Sequence, residues 1–251
     1  MRFRLKAFGL HLSASATLLT LILGSLYLGW YRWPGWYLTG VVRILVIVGI
    51  VDLALGPTLT LLIANPRKPR RELARDIAVI VCVQLVALVY GATTLWRGRP
   101  LYYTFSVDRL EIVQASDLET GEIALAQQHN PALAPHWYSR PRWVWAPLPD
   151  NPEEATRIAG ATLFGGPDII DMPRYFRAWN EALPSLREKL VSVSDMPSLS
   201  RADKEVLKKR MTTLGLAPAQ RNALLMWGHP RLAVAVFDPD TLRIRAILKA
   251  G

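Results

Sequence analysis

The chain has one cysteine and four histidines among 251 residues. A single thiol excludes an intramolecular disulfide and any cysteine-based zinc site. His11, His129, His136 and His229 never fall at metal-binding spacing, so no resident metal is expected. There is no glycine-rich phosphate loop and no G-x-S-x-G elbow. Asp168 and Asp171 lie close together, but Asp171 has a helix-cap explanation. No catalytic residue, cofactor or metal ligand is therefore expected. Acidic residues are also scarce early on. Asp52, Glu72 and Asp76 are the only ones up to residue 96, against ten Lys and Arg. That part carries +7 of the chain's +10, and the remainder carries +3. The basic excess flanks apolar runs instead of forming a broad patch, which argues against nucleic acid as a partner.

Long apolar runs are abundant, and mean hydropathy is +0.18. A spanning helix needs roughly 20 mostly apolar residues, and three stretches qualify: about 8–31, 38–64 and 77–96. The first follows Arg2, Arg4 and Lys6. It is too long for a signal-peptide core and ends in Trp30 and Tyr31 instead of small residues, so it reads as an uncleaved helix. Basic residues cluster at the N-terminus and in the loop Asn65–Arg75, whereas the turn between the first two helices has Arg32 alone. The positive-inside rule places both basic segments in the cytoplasm and residues 97–251 on the far side. The aromatic turn Trp30–Tyr37 and Trp96 fit a belt at the outer interface.

Asp52 is the only carboxylate deep in a span, where an unpaired charge costs several kcal/mol. Gln84 and Tyr90, on the antiparallel third helix, are its possible partners. Two readings stand side by side: an internal helix–helix hydrogen bond, or a docking point for a partner's membrane helix. Gly56-Pro57 should bend the second helix and open a groove, because Pro57 removes a backbone donor. His11, alone near the inner interface, reads as structural.

Beyond residue 96 the pattern changes. Leu101–Val107 reads as a strand, and Leu110–Val113 continues it or pairs with it. Asp150-Asn-Pro-Glu-Glu154 is a helix start, with a stop near Gly165-Gly166. A second helix is expected from Asp171, interrupted at Pro184. A third is capped by Ser200 and ends at Gly215. A hairpin closes the chain: Leu232–Phe237, a turn at Asp238–Thr241, and an alternating strand from Leu242. The region of Trp143, Trp145 and nearby prolines reads equally as a recognition loop or as core. The expected architecture is three transmembrane helices in residues 1–96, followed by a small α+β soluble domain in residues 97–251.

The stretch Asp52-x-x-x-Gly56-Pro57-x-Leu59-Thr60 resembles the second helix of the type IV pilin accessory proteins. So do Glu72-Leu73, Arg75-Asp76 and Gln84-x-x-Ala87-Leu88-x-Tyr90-Gly91. Arg99-Pro100, Phe105, Asp108-Arg109, Lys6-Ala-Phe8 and His11-Leu-Ser13 extend the likeness over about residues 6–118. Beyond that it is weak apart from the final hairpin. The resemblance implies a bacterial inner-membrane helper that handles one type IV pilin and promotes its assembly into pili, without enzymatic activity. Its partners would be the membrane helix and head domain of a major pilin, together with the lipid bilayer. Asp52, Gly56, Pro57, Gln84 and Tyr90 are the candidate contacts. A membrane-anchored sensor with a periplasmic input domain, or a pilin-modifying enzyme, are the alternatives.

Overall fold

The computed structural model describes residues 1–250. The chain forms two compact units. Residues 1–32 and 41–98 make the first; residues 33–40 and 99–250 make the second.

The first unit is helical. α1 spans Arg2–Gly29 and α5 spans Arg70–Arg97. Between them a 22-residue helix, Val42–Ile63, consists of α3 (Val42–Gly49), a π-helical turn (Ile50–Leu55) and α4 (Gly56–Ile63). All three are long and apolar enough to cross a bilayer. Backbone donors in hydrocarbon must be satisfied within the chain, and continuous helices do this. Trp30 meets Trp96 edge-on at 4.9 Å, and the Tyr31 hydroxyl donates to the Leu95 carbonyl at 2.7 Å. These contacts bring the C-terminal ends of the first and third helices together.

The sequence predicts a bend at Pro57. Just before Pro57 the structure has a π turn, in which the Gly56 N–H donates to the Val51 carbonyl, five residues back. Such a turn inserts one extra residue into the helical repeat and so shifts which side chains face inward. Asp52 lies on it.

The second unit is built on a seven-stranded mixed sheet in the order β4-β3-β1-β2-β5-β6-β7. Its strands are β1 (Pro100–Ser106), β2 (Arg109–Gln114), β3 (Arg142–Trp145), β4 (Arg177–Ala178), β5 (Ala223–Trp227), β6 (Leu232–Phe237) and β7 (Ile244–Ala250). Four of the helices are α6 (Thr120–His129), α7 (Pro152–Leu163), α8 (Leu183–Lys189) and α9 (Arg201–Thr213). β1–β2, β5–β6 and β6–β7 pair antiparallel, whereas β1–β3 and β2–β5 pair parallel. The period-2 alternation of strand side chains assigns the faces. Tyr103, Phe105, Leu224 and Met226 pack on one face with Leu186 of α8. On the other, Tyr102 and Val144 pack with Ile158 of α7, and Leu225, Val234 and Val236 with Leu207 and Met211 of α9.

Residues 33–40, between the first two membrane helices in sequence, complete this core. Tyr37 and Leu38, on the short helix α2 (Gly35–Leu38), are 3% and 0% exposed and pack with Tyr103, Phe105 and Met226. A side chain at Gly228 would collide with the Leu38 backbone, and one at Gly40 would meet the Pro230 ring. The Lys249 ammonium lies 4.8 Å from the Trp36 ring, with Trp33 and Tyr37 nearby. The aromatic turn thus contributes buried side chains as well as half-exposed ones.

Several expectations hold, and one needs correction. β1, β2, the helix after Asn151 and the closing hairpin fall where the sequence puts them. Asn151 caps α7 through the N–H groups of Glu153 and Glu154, and Ser200 caps α9 through that of Asp203. The long helix expected from Asp171 does not form. Two 3₁₀ turns, Ile169–Asp171 and Pro173–Tyr175, lead into β4, and α8 begins only at Leu183, with Pro184 in its first turn. Pro173 cannot donate into a helix, and Phe176 turns extended to pack edge-on against Tyr102 at 5.0 Å. Asp168, not Asp171, is the cap: it accepts from Ile169 N–H, while Asp171 accepts from Asp168 N–H. Burial, reinforced by Asp117, Asp168 and Glu111, pushes the Asp171 carboxyl up to about 6. The Trp143–Trp145 region is strand β3, with Val144 fully buried and Trp143 against Tyr103 and Trp179.

Candidate functional site

The residues that gather polar chemistry inside the helical unit lie on one inward stripe. Asp52, Gly56 and Thr60 recur every four residues along the second helix, and all three are buried. Gln84 faces them from α5. A side chain at Gly56 would occupy the space of the Gln84 amide, so glycine is what lets Gln84 reach the second helix. Gly91 does the same one level away, where a side chain would strike Val48. Small residues at such crossings allow close backbone approach.

The Gln84 Nε2 donates to the Asp52 main-chain carbonyl at 3.1 Å. Its Oε1 lies 2.7 Å from His11 Nε2, and His11 Nδ1 lies 2.6 Å from the Thr60 hydroxyl oxygen. With the amide nitrogen turned to a carbonyl, its oxygen must accept. The ring proton is therefore assigned to His11 Nε2, which leaves Nδ1 to accept from the Thr60 hydroxyl. One histidine thus ties all three membrane helices together.

One atom in the cluster is left over. Asp52 is 4% exposed, and its Oδ2 is buried without a hydrogen-bond partner among the described residues. This atom belongs to a residue lining a groove of about 140 Å³ between α1 and α5, whose rim includes Ala14, Leu18, Val81 and Leu85.

The structure brings together three of the five candidate contacts, Asp52, Gly56 and Gln84, and buries Pro57 next to Gly56 in the chain. Tyr90 does not join them. It is 74% exposed on the outward side of α5, and so does not meet Asp52. His11 and Thr60 join them, although the sequence does not single them out as contacts. The signal available was the four-residue stripe Asp52-Gly56-Thr60, which places Thr60 on the carboxylate's face, and a histidine within an otherwise apolar helix.

In the soluble unit a cleft of about 400 Å³ carries Asp108, Arg109, Lys189 and Asp195 on its walls, with Met196 and Trp227 between them. Arg109 is held by Glu111 at 2.9 Å and Asp168 at 3.6 Å. His129 is engaged with the Leu125 carbonyl, and His136 stacks on Tyr138. Among the described residues no group of three or more His, Cys, Asp and Glu is gathered as a metal site.

Fold and site together define a membrane-associated protein with three apolar helices, a polar cluster among them, and a mixed-sheet α+β unit. Its relatives are fimbrial assembly proteins of Dichelobacter nodosus. The serogroup I protein is 27% identical over 189 residues, covering 74% of this chain and 71% of the relative. The protein of serogroups C1 and C2 is 29% identical over 124 residues, covering 49% of this chain and 95% of the relative. The serogroup E1 protein is 26% identical over 189 residues. This agrees with the resemblance to type IV pilin accessory proteins. No family model matches the chain, and no solved structure does.

Proposed function

We propose that the chain acts in type IV fimbrial assembly as a non-enzymatic helper for one pilin. It would hold the pilin's apolar helix against its own membrane helices while the soluble unit engages the pilin head. The relatives' role in fimbrial assembly supports the process. The observation that carries the mode of action is the polar-lined groove at Asp52, which offers a membrane helix both an apolar rim and an acceptor. A tagged full-length protein extracted in mild detergent should bring its cell's major pilin with it. Repeated recovery of the protein without pilin would count against direct handling.

The same reading places the protein in the bacterial inner membrane, with the N-terminus and the 65–75 loop in the cytoplasm and the soluble unit in the periplasm. Charge placement supports this orientation. The packing of residues 33–40 into the second unit supports one face for both, as follows when the second and third helices, the two spans between them, both cross. A reporter active only in the periplasm should work when fused after Gly251 and stay silent when inserted between Pro69 and Arg70. The reverse pattern would overturn the orientation.

A further inference from the structure

The partner group for Asp52 can be specified from what surrounds it. Gln84 is committed to His11 and to the Asp52 main chain, and both ring nitrogens of His11 are engaged. The second Nε2 hydrogen of Gln84 faces the Asp52 carboxylate, yet Oδ2 itself has no hydrogen-bond partner among the described residues. Water is scarce at the centre of a bilayer, so a buried carboxylate oxygen there calls for a protein donor.

We infer that the groove between α1 and α5 seats one transmembrane helix of a partner, and that a side chain or terminal group of that helix donates a hydrogen bond to Asp52 Oδ2. Identifying the partner as the pilin rests on the function proposed above; the chemistry of the seat does not.

Depth selects a helix over a lipid headgroup. Asp52 is the eleventh of the 22 residues in its span, so it sits near mid-membrane, whereas headgroup donors lie at the interfaces and acyl tails carry none. Size points the same way. A cavity of about 140 Å³ is close to one that accepts a single benzene-sized group, enough for one side chain and its neighbours' contact. The rim fits a close-packed helix. Ala14 and Ser15 on α1 are small, while Leu18 and Leu85 supply apolar walls. Small residues with one interhelical hydrogen bond are the usual means of helix association in lipid. The occupant is thus a helix with a donor at mid-depth, facing a carboxylate.

The test uses the full-length protein in its own cells, with a photoreactive phenylalanine at Leu85 on the rim or at Val83 on the lipid-facing far side of α5. Irradiation should link pilin to position 85 and not to position 83. Asp52→Leu should lower the position-85 adduct by roughly three- to thirty-fold, the range expected for one intramembrane hydrogen bond. Asp52→Asn keeps an acceptor and should fall between the two; it replaces the leucine variant if that one does not accumulate. Equal adducts at both positions, no response to either substitution at matched protein level, or a position-85 adduct with a second copy of this chain would each overturn the inference. If pilin co-purifies but never links at position 85, the groove assignment alone fails. If pilin neither links nor co-purifies, the pilin-handling reading fails with it.

Discussion

Replacing Leu38 by alanine should destabilise the soluble unit by about 2–5 kcal/mol, the usual cost of emptying a fully buried leucine site. This is a strong expectation for a residue that a sequence reading assigns to the turn between two membrane helices. Leu38 is completely buried among Tyr103, Phe105 and Met226. Glycine at 228 lets its backbone approach the sheet, because a Cβ there would lie 2.5 Å from the Leu38 carbonyl oxygen. The change should lower the unfolding temperature of the detergent-solubilised protein by roughly 4–20 °C, at about 2–4 °C per kcal/mol for a unit of this size. Gly228→Val should act in the same direction by overpacking, with about 1–3 kcal/mol or more. Melting within error of wild type for both variants would mean that residues 33–40 are not part of this core.

Gly56→Ala should have a comparable effect in the helical unit. Its new methyl would fall where the Gln84 amide lies. Moving that amide breaks its bonds to His11 and to the Asp52 carbonyl. Overpacking typically costs about 1–3 kcal/mol, and each lost intramembrane hydrogen bond adds about 0.6–2 kcal/mol. The double variant Gly56→Ala/Gln84→Ala separates the two contributions. It removes the clash but not the loss of bonding, so it should accumulate better than Gly56→Ala alone, and the two changes should be strongly non-additive. Unchanged stability in Gly56→Ala, or simple additivity in the double variant, would show that Gly56 and Gln84 do not share a site.

The membrane half was legible because a single property, apolar length, decides it. Asp52, Gly56 and Gln84 stood out for the same reason: any polar or flexible residue in a span needs an explanation. Tyr90 misled because spacing along an antiparallel helix gives depth but not rotation about the axis, and its ring points outward. His11 reads as structural from the sequence, but its two partners, Thr60 and Gln84, lie on other helices and are fixed only by the fold. The π turn is not readable from the sequence, since a single-residue insertion in the helical ladder leaves no compositional mark.

In the soluble half, strands with β-branched and aromatic alternation were readable and others were not. β5, Ala-Leu-Leu-Met-Trp, is made of good helix formers, and becomes a strand because β2 and β6 flank it. β4 has only two residues. The capture of residues 33–40 depends on contacts far apart in the chain, which no local pattern records.

The proposed role is to help pilin assemble without altering it chemically. The most direct measurement is made on a strain lacking only this chain, with surface pili counted and the intact mass of cellular pilin determined. Surface pili should be lost, the pilin polypeptide should still be synthesised, and its mass should match that from the parent strain. Wild-type numbers of pili, or a pilin whose mass changes with the deletion, would contradict that role.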